Sequence, residues 1–411
     1  MLAYSTARRE DDGGGSGGDP VRRGGVWRVA LRELHRALRS PLQVALMAVL
    51  PIVTVAWLLA VFREPTPRDL PVALLDFDRS PIARELARAV DATPSVRITQ
   101  DVESIDEGRH LVQQGRVYAL LVLPRGIEAD IARGRPVHLT TFYNAQLMLA
   151  SSIVARDLQA VGLLSSAGVK ARMAAARGVP PSLIVPAIEP LRAQSHLLFN
   201  PQLDYRYYLL AALLPAMLQM LVAMTTVVAF GREFKEGAVD DWLRVASGAV
   251  WKAVAGKTLA LALWFALIGL GLLGLLFGGV GAPLRGSPPA LVIGLLLVIG
   301  AYISISVCFL ALTANLRLAA SLVAFYTGMA FAFMGVTFPM LALPGVARAW
   351  AELMPVTHFA RVLFEQTLRG GGAWDSRWSL MALAAFCLAP WVAAAWPLSR
   401  LMRGDRRWSA R

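Results

Sequence analysis

Apolar runs long enough to cross a bilayer alternate with polar stretches along this chain. A hydrocarbon core about 30 Å thick needs about 20 helical residues at about 1.5 Å rise each. Six stretches reach that length without an Asp, Glu, Lys or Arg: 41–62, 207–230, 258–284, 286–316, 318–347 and 378–399. The pattern predicts an all-α polytopic membrane domain with six transmembrane helices. Ahead of the first, Trp27, Ala30, Leu31, Leu34 and Leu38 recur at helical spacing with Arg28, Arg32, Glu33, Arg36 and Arg39 between them. That alternation predicts an amphipathic helix over 26–40, lying on the membrane surface. Residues 1–25 include the linker-like GGGSGGDP and are expected to be disordered.

The long polar interval at 63–206 has a different period. PVALLDFD, SVRIT, VYALLVLP and PVHLTTFY are short β-rich runs. Between them SPIARELARAV, ESIDEGRHLVQQG and RGIEADIARG have helical spacing, and an Ala-rich helical stretch follows from Leu147 to about Arg177. An inserted extracytoplasmic α/β domain between the first and second spans is the expectation. The five remaining spans occupy 207–400, with a polar loop at 231–257. The segment 338–377 is too polar and too rich in proline to span, and is expected to be an external helical or re-entrant segment.

Composition supports lipid as the solvent: 56% of the 411 residues are hydrophobic and 17% charged. The formal charge of +13 could suggest a nucleic-acid partner, but its location argues otherwise. Arg22, Arg23, Arg28, Arg32, Arg36 and Arg39 precede the first span; Arg400 follows the last, and Arg403, Arg406, Arg407 and Arg411 belong to a basic tail at 401–411. Positive residues flanking spans stay on the cytoplasmic side, so both termini are expected inside and the α/β domain outside, in a bacterial inner membrane. Membrane lipid, not nucleic acid, is the partner this charge fits. The two cysteines, Cys308 and Cys387, fall within spans and offer the external domain no disulfide.

Motifs of catalysis do not assemble. Ala255, Gly256, Lys257 and Thr258 resemble the end of a phosphate-binding loop, but Trp251 stands where its first glycine is needed. The five histidines, His35, His110, His138, His196 and His358, are scattered, so no metal site is expected, nor any bound cofactor. Within the apolar stretches only neutral polar groups occur; Gln219, Thr225, Thr226, Ser304, Ser306 and Thr327 are the conspicuous ones. A transporter driven by an ion gradient normally keeps ionisable groups there. The energy source is therefore expected on another polypeptide. Gln219, Thr225, Thr226, Ser304 and Thr327 are candidates for a translocation path, the simpler alternative being helix packing.

The segment Gly231-Arg232-Glu233, then Glu236-Gly237, then Asp241-Trp242-Leu243, with Gly256-Lys257 opening the next span, resembles the intracellular signature loop of type-2 ABC exporter permeases. Phe338-Pro339, Leu343-Pro344 and Met354-Pro355-Val356-Thr357-His358-Phe359 with Arg361 resemble that family's region before its last span. The topology is similar to the branch with a large periplasmic domain after the first span. The chain departs from the pattern at Ala238, where a threonine is usual, and lacks the usual proline near RVASGAV. The resemblance implies a permease subunit working as a dimer, with an identical copy or a paralogue. It also implies a cytoplasmic ATPase subunit that holds ATP and Mg, and leaves room for a periplasmic adaptor.

On this reading the coupling residues are Arg232, Glu233, Phe234, Glu236, Gly237, Asp241, Trp242 and Leu243. The apolar stripe of Phe234, Val239, Trp242, Leu243 and Val245 is expected to be covered by the ATPase. The cargo expected of uncharged spans is hydrophobic or amphipathic. Two other classes remain open. An ion-coupled secondary transporter would show buried acids or an inverted repeat, and a non-transporting scaffold or receptor would use the external domain to bind a partner.

Overall fold

The computed structural model describes residues 25–62, 67–133, 135–144, 148–176, 178, 205–336, 338–404 and 408. The disorder expected of 1–25, most of the basic tail and the return to the membrane across 179–204 lie outside the described residues. The chain forms two compact units, one of residues 1–61 with 207–411 and one of residues 62–206.

The first unit opens with helix α1 (Val26–Leu38), which ends where Pro41 cannot continue it. Ser40 caps the next helix, and α2 (Pro41–Val61) is the first candidate span. A π turn at Ala45–Val49 lies in its first half.

The second unit is α/β. Strand β1 (Leu70–Asp76), helix α3 (Pro81–Asp91) and strand β2 (Val96–Asp101) form a parallel βαβ unit. Helix α4 (Ile105–Gln113) then leads to β3 (Ala119–Leu123), parallel to β1 on its other side. Helix α5 (Ile127–Ala132) precedes the antiparallel edge strand β4 (Thr140–Tyr143), giving the order β2-β1-β3-β4. Alternation along β1 and β3 sends Val72, Leu74, Ala119 and Leu121 to one face, and Ala73, Leu75, Leu120 and Val122 to the other. The first face is covered by α3 and by the long α6 (Met148–Ala176), whose Val154, Leu158 and Val161 are buried. The β-rich runs of the sequence coincide with these four strands: β3 and β4 lie within theirs, whereas β1 begins one residue before PVALLDFD and β2 runs two residues past SVRIT.

Five further helices complete six candidate spans among the described residues: α7 (Tyr205–Lys235), then, after the short α8 (Val239–Val245), α9 (Val250–Gly279), α10 (Pro288–Thr313) and α11 (Leu316–Phe333). Past the short helices α12 (Gly345–Glu352) and α13 (Pro355–Phe364), α14 (Arg377–Met402) is the sixth. The exposed Trp378 and Trp396 on α14 lie 18 residues apart, about 27 Å at 1.5 Å per residue, close to a hydrocarbon thickness. Arg377 and Arg400 sit over those rings at 5.4 and 4.8 Å, as interface anchors do.

The apolar runs misplace several helix ends. The second span runs on to Lys235 and the third starts at Val250, so the expected loop 231–257 is mostly helix. Arg232, Glu233 and Lys257 continue these helices with their charges paired, as described below. The fifth span stops at Phe333 and not at 347, because Gly335 takes φ +81° and Pro339 introduces a single 3-10 turn. Within 338–377 the segment is helical. α13 is buried along nearly its whole length between α10 and α14, and Gly294 of α10 admits it closely: a Cβ there would lie 3.3 Å from Val362.

Candidate functional site

Buried ions need partners, so the place where charges meet apolar packing identifies itself. In the membrane unit that place is Lys257, in the second turn of α9 and 1% exposed. Its ammonium donates to Ala229 O and Glu233 Oε1 of α7, each at 2.8 Å, and pairs with Glu33 Oε2 of α1, also at 2.8 Å. Two of these contacts are hydrogen bonds, and the third is an ion pair by proximity, Glu33 Oε2 accepting no hydrogen bond among the described residues. The same nitrogen lies 4.9 Å from the Trp242 ring centroid and 5.5 Å from that of Phe230. These aromatic faces attract a cation where water is excluded.

The acids are held from several sides. Glu233, fully buried, accepts from Arg32 at 2.8 and 3.2 Å and from Arg36 at 2.5 Å. Arg36 also pairs with Glu236, which accepts from Arg232 Nε at 3.1 Å, and Arg232 reaches Gln43 of α2 at 2.7 Å. Burial alone raises the Glu236 carboxyl, but the bonds from Arg36 and Arg232 outweigh it and hold the group below the usual carboxylate range. Burial likewise lowers the Arg36 guanidinium, and the nearby Glu233 and Glu236 carboxylates outweigh that, leaving it raised. Four bases (Arg32, Arg36, Arg232, Lys257) face three acids (Glu33, Glu233, Glu236), so one connected knot ties α1, α2, α7 and α9 together.

The backbone makes this approach feasible. A Cβ on Gly256 would lie 2.5 Å from Val26 O and from Val29 Cβ, so only glycine lets α1 rest on α9 one residue before Lys257. The letters that resemble a phosphate loop therefore serve helix packing and ion pairing. Gly237, at φ +65°, turns the chain out of α7 into α8. Trp242 of α8 is fully buried, donates from Nε1 to Ala253 O at 3.2 Å, and meets Phe230 edge to face with centroids 5.7 Å apart.

This placement corrects one part of the expected stripe. Trp242 is covered by its own chain and not left for a partner, because the indole closes over Lys257. Phe234 is also mostly covered, stacked on Trp408 at 5.1 Å. What α8 presents outward is Asp240, Asp241 and Arg244, with Leu243 half-buried. Asp241 and Arg244 pair at 2.9 Å. Of the expected coupling residues, Arg232, Glu233 and Glu236 meet in the knot, and Asp241 and Leu243 stay at the surface. The sequence reading missed the α1 members Arg32, Glu33 and Arg36. The lone acid Glu33 on an otherwise basic helix was the available signal.

The candidate path residues fall elsewhere. Gln219 Nε2 donates to Thr327 O at 3.2 Å, linking α7 to α11. Thr226 and Thr327 bond carbonyls of their own helices. Thr225, Ser304 and Ser306 are fully buried with hydroxyls lacking a hydrogen-bond partner among the described residues. No cluster of metal ligands occurs among the described residues.

Among the described residues the chain thus has six helices long and apolar enough to cross a membrane, with a charged knot at the ends of two of them. A family model for ABC-2 family transporter proteins matches residues 42–396, most of the chain. The chain belongs to the ABC-2 family. It is thus a multi-pass membrane protein and an ABC permease subunit, a class that lacks an ATPase motif of its own and partners an ABC ATPase. No protein of curated function matches the sequence.

Proposed function

We propose that this ABC-2 permease is the membrane subunit of an exporter, and that its ATPase docks on the outer face of α8, at Asp240, Asp241, Leu243 and Arg244. The observation that carries the reading is the burial of Trp242 over Lys257: α8 cannot shift without moving the ends of α7, α9 and α1. A short helix fixed to two spans is a lever through which ATPase closure reaches the membrane. The basic residues flanking the first and last spans favour both termini, α8 and the ATPase on the cytoplasmic side of an inner membrane, and the α/β unit outside. A hydrophobic or amphipathic cargo suits the long uncharged stretches of these spans. A dimer with a second copy or a paralogue accords with the resemblance in the signature loop, and a periplasmic adaptor remains a candidate partner.

Glu233 and Lys257 do lie within helices that span, which the apolar runs did not suggest. Both are bonded to opposite charges, so neither is free to carry a coupled ion, and the ion-driven reading gains nothing from them. Docking is tested by co-purifying the ATPase with permease carrying Asp241→Lys and Leu243→Asp at matched expression. The expected result is loss of the ATPase with the amount of inserted permease unchanged. Retention of the ATPase at the wild-type level would move the docking surface elsewhere.

A further inference from the structure

In the α/β unit, α6 is longer than the sheet it covers. Val154, Leu158 and Val161 close its first half onto the core, but on the next turns Gly162, Ser165, Ser166 and Val169 face an open cleft. Two adjoining lobes of about 400 Å³ each share Leu86, Val137, Leu139 and Gly162. Ile82 of α3 with Ile127 and Ile131 of α5 extend the floor of one lobe, and Leu121 and Leu158 that of the other. The floor is thus the exposed margin of the hydrophobic core, left open where packing would ordinarily continue. A Cβ on Gly162 would meet nothing within 4 Å, so the missing side chain is part of the opening. Toward the far end of α6, Arg172 pairs with Glu85 of α3 at 3.2 Å.

Neutral polar groups, Thr141, Tyr143 and Gln159, line one lobe, and the charged group lies at the mouth of the other. Arg135 is exposed there, its pairing with Asp130 stretched to 3.9 Å, next to the hydroxyls of Ser165 and Ser166. A largely apolar trough with one cation, Arg135, among its described lining residues matches the polarity of a fatty acid. Its volume falls in the range of small-molecule sites. We propose that this cleft binds a single-chain amphiphile, with the apolar tail along the two lobes and an anionic head at Arg135. This site is independent of the docking of an ATPase at α8.

The test uses the full chain in lipid nanodiscs with a diazirine-bearing palmitic acid, irradiation and mapping of the adducts by mass spectrometry. Adducts are expected at 127–139 and 158–169, besides those in the spans, and unlabelled palmitate should suppress the former and not the latter. Gly162→Trp should cut the α/β adducts at least about fivefold by filling the trough, whereas Gly162→Ala should keep them. Arg135→Gln should lower them about threefold, the scale of an exposed charge contact, and the methyl ester of the probe should not distinguish Arg135→Gln from wild type. Unchanged span adducts report that each variant is inserted. Adducts confined to the spans of the wild type, or α/β adducts that survive Gly162→Trp at full strength, would overturn the site.

Discussion

The membrane unit treats its polar groups in two opposite ways. At the ends of α7 and α9 every charge of the knot has an opposite charge, and Lys257 lies 2.8 Å from carboxylate oxygens of both Glu33 and Glu233. Deeper in the spans, Thr225, Ser304 and Ser306 are as buried as Lys257, yet their hydroxyls lack partners among the described residues. An unpaired hydroxyl in apolar surroundings costs far less than an unpaired ion. The first region therefore admits one arrangement, while the second tolerates several. A lever needs the former, and helices that rearrange around a cargo suit the latter.

The sharpest way to break this contrast is to unpair the knot. Lys257→Met removes the only cation among the described residues that pairs with Glu33 and should destabilise the folded permease by about 3–5 kcal/mol. Equilibrium unfolding in mixed micelles reads this directly. Adding Glu33→Gln should recover part of the loss, since the orphaned charge is then gone. Gly256→Val should have a smaller effect, about 1–3 kcal/mol, because its side chain must displace Val26 and Val29 and lift α1 from α9. A cysteine placed at Val29, now fully buried, should become reactive to a soluble thiol reagent in that background.

Within the spans the same operation should matter less. Gln219→Leu removes the link to Thr327 and should cost about 1 kcal/mol or less by the same unfolding measurement, as interhelical hydrogen bonds in membranes do. Ser304→Ala, which deletes a hydroxyl with no partner, should leave stability nearly unchanged. A loss for Ser304→Ala as large as that for Lys257→Met would erase the distinction between the two regions.

The smallest effect expected is from pH. Glu236 is held below its ordinary carboxylate range, so its contribution is present above the unfolded pKa and is lost as pH falls through the depressed folded value. The stability difference between wild type and Glu236→Gln should narrow on acidification into that window, and persist unchanged at neutral and alkaline pH.

Much of this was legible in the sequence because it depends on period. The six spans follow from apolar length, and β1 to β4 from short β-rich runs, since burial of one face or all faces leaves its mark residue by residue. The ionic knot was only half legible. Glu233 and Glu236 stood out in the signature-like loop, but their partners Arg32 and Arg36 are about two hundred positions away, and nothing local in α1 says where its charges go. Trp242 misled for the same reason. A large indole among acids resembles a docking surface until Lys257, fifteen residues on, is seen to close against it.

Coupling through that contact is the central claim, and it can be read without knowing the cargo. A cysteine at Thr225 in α7, with Cys308 and Cys387 replaced, reports accessibility of the span interior to a small thiol reagent. With the ATPase bound, adding ATP should change its labelling rate in the otherwise wild-type permease. In Trp242→Leu, which keeps the outer face of α8 but removes the ring from Lys257 and its bond to Ala253, the ATPase should still co-purify while the ATP-dependent change disappears. An ATP response of wild-type size in Trp242→Leu, with the ATPase still bound, would contradict the lever.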